Sequence, residues 1–164
     1  MLTHHRKPVS LSWISTDLPL RSHIETAATL YQKDKQQFHF LLHEPELCAG
    51  EFEGKDDVAA DGTSQTRPSR LLWLEVSPYR AVMTMQGNGH FSYRHLWQKG
   101  MYGLSRYYLH GASGSLPNQL RLRNFTRDLT VVGCALPESL RLEYELWSEK
   151  VRLGHYVLLL KIHH

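Results

Sequence analysis

The chain has 164 residues, 41% of them hydrophobic and 21% charged, with a formal net charge of +3. That length suits one domain with a core large enough to need neither disulfides nor a structural metal, and the composition excludes disordered and fibrous classes. The two cysteines, Cys48 and Cys134, form no CxxC pair, which argues against a zinc knuckle or a disulfide framework.

In chain order, Val9, Leu11 and Trp13 open the first alternation of apolar and polar residues, which ends at the polar turn from Thr16 to Pro19. Period two places successive side chains on opposite faces, the pattern of a half-buried strand. Ile24, Thr26, Ala28 and Leu30 give a weaker second strand. A charged turn at Lys33 to Lys35 leads to a strong third, Phe38, Phe40 and Leu42. The stretch 44–69 breaks the rhythm with Pro45, Gly50, Gly54, Gly62, Pro68 and a cluster of acids. It reads as one long mobile loop with a short weak strand at Asp56 to Ala60, placed where a lid over a cavity would sit.

Strands then recur at short intervals. Leu72, Leu74 and Val76 form one, and Val82 and Thr84, opposite Met83 and Met85, the next. The turn Gly87, Asn88, Gly89 leads into Phe91, Tyr93, His95 and Trp97. Lys99 and Gly100 turn the chain into a strand from Leu104 to Leu109, which Gly111 to Gly114 break. Leu120 and Leu122 predict one strand, and Leu129, Val131 and Val132 a separate one. The clearest alternation is the closing hairpin: Leu140, Leu142, Tyr144 and Leu146 against Arg141, Glu143, Glu145 and Trp147, then Tyr156, Leu158, Leu160 and Ile162 beyond a turn at Glu149 and Lys150. The expectation is an all-β domain spanning 1–164, a single antiparallel up-and-down β-barrel of about 8 to 10 strands, because closure removes exposed edges.

His4, His5, Arg6 and Lys7 are followed by Ser10, Ser12 and Ser15 rather than by an apolar run, which argues against a secretory signal. The longest apolar run, Tyr156 to Leu160, is far below the roughly 18 residues of a membrane span, so no membrane partner is expected. Together with the unpaired cysteines this predicts a cytoplasmic protein.

From about Arg70 to Ile162 the chain resembles the YwiB-like bacterial family of unknown function. Gly89, Ser92, Trp97 and Gly100 follow its glycine, serine, aromatic, glycine pattern, with tryptophan where phenylalanine is common. Ser113 to Phe125 is similar to its glycine-containing turn and following strand, and the hairpin from Leu140 to Ile162 to its closing pair. Gly111, Ala112, Ser113 and Gly114 stand where a threonine, proline, tyrosine, glycine turn is usual. The resemblance implies a calycin-type, lipocalin-like barrel and carries no established activity.

Eleven histidines raise the question of a metal, but no HExxH, HxH or Cys/His cluster is present, and no cofactor is expected. His39 and His43 share a strand face and would form a site only by meeting His95 or His110 across the barrel; histidines with ordinary partners are the plainer reading. Ser92 follows a glycine turn near His90 and His95 without a GxSxG elbow. Glu143 and Glu145 alternate with core leucines and read as a solvated face meeting neighbouring arginines. Asp56, Asp57 and Asp61 lack the oxygen spacing of a calcium loop. No catalytic constellation emerges, and a non-enzymatic role is expected.

The aromatic residues carry more. Phe38, Phe40, Tyr93, Trp97 and Tyr108 are candidates to line a barrel interior for a small apolar or amphipathic ligand, with Arg106, on the strand face of Tyr108, for an anionic head group. The alternative is a binding module that uses a basic outer sheet, with Arg94, Arg106, Arg121 and Arg123, on nucleic acid or a protein. An apolar outer stripe would support a homodimer.

Overall fold

The computed structural model describes residues 4–43, 70–87, 91–109 and 118–164. They form ten strands: β1 (His4–Ser15), β2 (Arg21–Gln32), β3 (Phe38–His43), β4 (Leu71–Val76), β5 (Arg80–Gln86), β6 (Phe91–Gln98), β7 (Tyr102–Leu109), β8 (Asn118–Val132), β9 (Ser139–Ser148) and β10 (Val151–Ile162). Each pairs antiparallel with its neighbours in the chain, and β1 also pairs with β10, so the sheet closes as an up-and-down barrel. The expected loop at 44–69, with its weak strand, and the turns at 88–89 and 111–114 lie outside the described residues. Among the described residues no helix is long and apolar enough to cross a membrane.

The alternation read from the sequence sets the inner face. Phe38, Phe40 and Leu42 of β3, Leu72, Leu74 and Val76 of β4, and Leu140, Leu142 and Tyr144 of β9 all point into one core with Leu158, Leu160 and Ile162 of β10. The interior is filled: Trp97, Tyr144, Phe40, Met83 and Leu142 are fully buried. At roughly 25 cal/mol per Å² of apolar surface, this burial is the main force holding the closed sheet together.

Two ends can be told apart. At the lower end, where β1 begins and β10 finishes, the barrel is filled by aliphatic residues, among them Val9, Val76, Ala81, Leu129 and Ile162, with Phe38 and Trp97. At the upper end, where β1 finishes, the inward residues are Trp13, Phe91, Tyr93, Tyr107, Tyr144 and Tyr156. β3 and β7 both finish at the upper end, and β4 and β8 both begin there.

Two elements differ from the sequence reading. Leu120 to Val132 is one long strand, not two: a bulge between Thr126 and Asp128 shifts its parity, so Leu122, Asn124 and Thr126 face inward before it and Leu129 and Val131 after it. A polar inner face followed by a slip of one residue erases the period-two signal that a single strand would give. β7 begins at Tyr102 rather than Leu104, and its inner positions Gly103 and Ser105 are small because His95 and Trp97 of β6 fill the space beside them.

Gly103 is fixed by this crowding. A Cβ there would lie 2.0 Å from the carbonyl oxygen of Leu96 and 2.9 Å from Asn124 Oδ1. Gly103→Ala is therefore expected to lower stability by about 1–3 kcal/mol in urea unfolding, because the nearest obstacle is backbone and cannot swing aside.

Candidate functional site

The aromatic cup at the upper end is built from four parts of the wall. β1 contributes Trp13, β6 contributes Phe91, Tyr93 and His95, β7 contributes Tyr107, and the β9–β10 hairpin contributes Tyr144 and Tyr156. Their rings meet edge to face, tilted or stacked: Trp13 against Tyr93 at 6.3 Å, Tyr93 against Tyr107 at 6.1 Å, and Tyr144 against Tyr156 at 5.5 Å, in that order. Such pairs add roughly 0.5–1.5 kcal/mol beyond their burial. Trp13 Nε1 donates to the Tyr144 hydroxyl at 2.9 Å, a bond that passes over β10 from β1 to β9. Burial pushes the Tyr107 phenol up to about 12, with the neighbouring Tyr156 adding to it. The Tyr144 phenol is also raised well above its ordinary value, chiefly by burial, and the Trp13 hydrogen bond only partly offsets this. Both hydroxyls are thus neutral donors and acceptors at physiological pH.

Below the cup lies a buried polar cluster. His95 Nδ1 is 2.7 Å from Ser105 Oγ, and Asn124 Nδ2 donates to that oxygen at 2.9 Å and to the Leu96 carbonyl at 3.1 Å. The histidine ring stacks on Trp97 at 4.9 Å and meets Trp13 and Tyr107 edge to face. Burial lowers the His95 pKa to about 3. The ring is therefore neutral, and the assignment that uses the hydroxyl proton has Ser105 donating to Nδ1. A serine hydrogen-bonded to a histidine and an asparagine resembles a nucleophilic triad, but all three are shut away from solvent, so no substrate reaches them. Their role is to hold β6, β7 and β8 together. Nearby, Trp97 Nε1, Asn124 Oδ1 and Thr126 Oγ1 are buried without a hydrogen-bond partner.

Open space begins at the rim. A shallow cleft of about 310 Å³ runs beside Trp13, Ser15, Leu20, Arg21, Ser22 and Tyr156. A narrower one of about 80 Å³ reaches inward past Trp13, Ser22, Ile24, Arg70, Met85 and Tyr93. Trp13 and Ser22 line both. The rim beside them is pinned: Asp17 accepts from the His155 backbone N–H at 3.2 Å, from Ser15 Oγ at 3.2 Å and from Arg152 at 3.4 Å. The His155 bond is the main reason the Asp17 carboxyl titrates below its ordinary value. At the lower end a groove of about 480 Å³ passes among turn residues such as Lys35, Tyr79, Lys99 and Cys134, beneath a floor closed by Phe38 and Leu129.

Of the residues expected to line a ligand site, Tyr93 stands at the inward cleft. Phe38, Phe40 and Trp97 are packed into the filled interior. Arg106 and Tyr108 do share a strand face, but it is the outer one: Ser105 and Tyr107, between and beside them, point inward. Neither reaches the interior, so Arg106 cannot serve a head group there. His39 lies on the outer face against Trp73, with His95 inside, so these two do not pair across the barrel; His110 lies outside the described residues. Glu143 and Glu145 do meet arginines, Arg141 and Arg127 respectively, but Glu145 is nearly closed off from solvent. Desolvation would raise its pKa, and the hydrogen bonds from Trp147 and Arg127 more than reverse that. Among the described residues no group of three His, Cys, Asp or Glu side chains converges as metal ligands would. Trp13, Tyr156, Ser105 and Asn124 were not singled out by the sequence; Trp13 and Tyr156 carry the inward parity of their strands, which is the one signal that points to them.

No family model matches the chain, and no curated protein matches it. Among solved structures it is similar to the crystal structure of YwiB protein from Bacillus subtilis, with a TM-score of 0.60 and 10% sequence identity over 97% of this chain and 94% of that one. The likeness is one of fold.

The buried cluster makes two measurable demands. Ser105→Ala strips partners from His95 and Asn124 and is expected to cost about 1–3 kcal/mol in urea unfolding, whereas Thr126→Val removes an unpartnered buried hydroxyl and should be neutral or stabilising by about 1 kcal/mol. For His95, the unfolded chain takes up a proton near 6.5 and the folded chain only near 3. Between those values the unfolded state holds more protons, so stability falls as pH is lowered, by up to about 1.4 kcal/mol per unit. His95→Gln should flatten the slope of stability against pH between about 6.5 and 5, above the range where carboxylates titrate.

Proposed function

We propose that the protein binds one small amphipathic molecule, flat or apolar in its body, at the upper rim of the barrel rather than deep within it. The observation that carries this is Trp13, a half-buried ring that forms a wall of both rim clefts while Tyr93 and Tyr156 form facing walls. Aromatic surface with a few polar groups at its edge is the usual make-up of a small-molecule site. The larger cleft is at the small end of such sites, which favours a ligand of one or two rings or a short chain over a long fatty acid. Arg21, exposed at the cleft edge, suits an anionic group on that ligand. A calycin-type, lipocalin-like reading of the barrel is in keeping with this, since barrels of that type hold one small ligand. The exposed free thiol of Cys134 suits a reducing compartment, and we take the site of action to be the cytoplasm.

Titration of the purified chain with anilinonaphthalene sulfonate, followed by displacement with indole-3-acetate and octanoate, tests the reading. Wild type is expected to bind the dye saturably and to release it to at least one competitor. Trp13→Ala should weaken binding about tenfold, and Ser22→Trp, which fills the cleft without touching the core, should do the same. Arg106→Gln should change nothing. Absence of saturable binding, or Ser22→Trp binding as well as wild type, would overturn the proposal.

A further inference from the structure

Three arginines stand side by side across the outer face of β6, β7 and β8: Arg94 is opposite Arg106, and Arg106 is opposite Arg121. Like charges directly opposite one another destabilise a sheet. Elsewhere on the outer wall three arginines are answered, Arg141 by Asp128 and Glu143, Arg127 by Glu145, and Arg152 by Asp17. Those in the row are not. Among the described residues Arg94 and Arg106 have no ion pair or hydrogen-bonded side-chain partner, and Arg121 reaches only the Gln119 amide oxygen at 3.4 Å. Arg106 Nε is buried without a partner. Arg123, two residues along β8, donates to the Glu149 carbonyl at 2.8 Å and lies 5.2 Å above the Tyr102 ring.

We propose that this face is a second binding site, which takes the phosphate backbone of a single-stranded nucleic acid along the row Arg94, Arg106, Arg121. Neighbouring strands are about 4.8 Å apart, so the row spans about 10 Å at its roots, a reach that fits two consecutive phosphates. The planar guanidinium fork matches phosphate oxygens bidentately. Aromatic rings flank the row: Tyr108 lies beside Arg106 on β7, between Ser92 and Gln119, and Tyr102, 56% exposed, stands at the other end of the strand beside Phe125. Rings beside a cationic track are how proteins hold unpaired bases, whatever the sequence. An acidic protein partner is less well suited, because a stable protein interface needs a desolvated apolar centre, and the centre of this face is three charges. The site lies on the opposite side of the wall from the rim cleft, so it stands or falls independently of the ligand proposal.

Fluorescence anisotropy of labelled oligo(dT) with the full chain, over a salt series, tests it. Each phosphate neutralised contributes about 0.7 to the slope of log affinity against log salt for a single strand. Arg94→Gln, Arg106→Gln and Arg121→Gln combined should weaken binding at least about tenfold near 100 mM salt and lower that slope by about 1–2. A control triple of equal charge change elsewhere, Lys33→Gln, Arg80→Gln and Lys161→Gln, should shift affinity less than about twofold, and Tyr108→Ala should weaken it severalfold. Circular dichroism checks that the outer-face variants keep the fold. No binding by wild type, an equal loss in the control triple, or polyglutamate competing as well as unlabelled oligo(dT) would overturn the proposal.

Discussion

The pairing of β1 with β10 is the constraint on which the rest of the molecule depends. From Val9 opposite Ile162 to Ser15 opposite Tyr156, it joins the two ends of the chain and leaves no strand of the sheet with an open edge. It is the most distant contact in sequence, so its loop-closure cost is met only once the intervening hairpins have formed. Other contacts reinforce the seam. Trp13 hydrogen-bonds Tyr144 one strand beyond β10, Asp17 accepts from the backbone of His155, and the His163 N–H donates to the Pro8 carbonyl at the lower end. The rim cleft sits beside this seam, so the same residues that close the barrel also shape its opening.

Closing ten strands creates more internal cross-section than small aliphatic side chains fill, and the interior answers with large rings set beside small neighbours. His95 and Trp97 on β6 lie alongside Ser105 and Gly103 on β7; Tyr144 stacks with Tyr156 where β10 has Gly154 near its bulge. The lower end packs mainly with aliphatic side chains. The upper end keeps hydroxyls and an indole N–H, with Trp13 bonded to Tyr144 over the intervening β10, and this difference in chemistry, more than any difference in volume, distinguishes the two ends.

How far the sequence could be read follows from the same packing. Where a strand is half-buried by large apolar residues, as in β3, β4, β9 and β10, alternation identified both the strand and its inward face. β8 was legible only in part, because Asn124 and Thr126 point inward and the bulge at Arg127 then reverses the parity. β7 misled more seriously. Tyr102, Leu104, Arg106 and Tyr108 together are bulkier than Gly103, Ser105 and Tyr107, yet the smaller set faces the core, since what a position must fill depends on its neighbour in space. That is why Arg106 and Tyr108 looked like an interior pair. The rim residues Trp13 and Tyr156 were visible as strand positions, but their convergence with Tyr93 depends on closure, which no local pattern encodes.

β7 also shows why the buried polar cluster is worth its desolvation. With two faces of similar apolarity, hydrophobic burial alone specifies its register weakly, and a slip of one residue would carry Arg106 into the core and Ser105 to the surface. The hydrogen bonds that Ser105 shares with His95 and Asn124 are satisfied only in the observed register, and Gly103 alone leaves room for Asn124 to reach across to the Leu96 carbonyl. A slip of one residue would bury a guanidinium and leave the imidazole and the amide unpaired, a penalty of several kcal/mol. The cluster therefore acts as a pin through the wall. By fixing Ser105 and Tyr107 inside, it fixes Arg106 and Tyr108 outside, and it holds the arginine row in line across three strands despite the mutual repulsion of its charges.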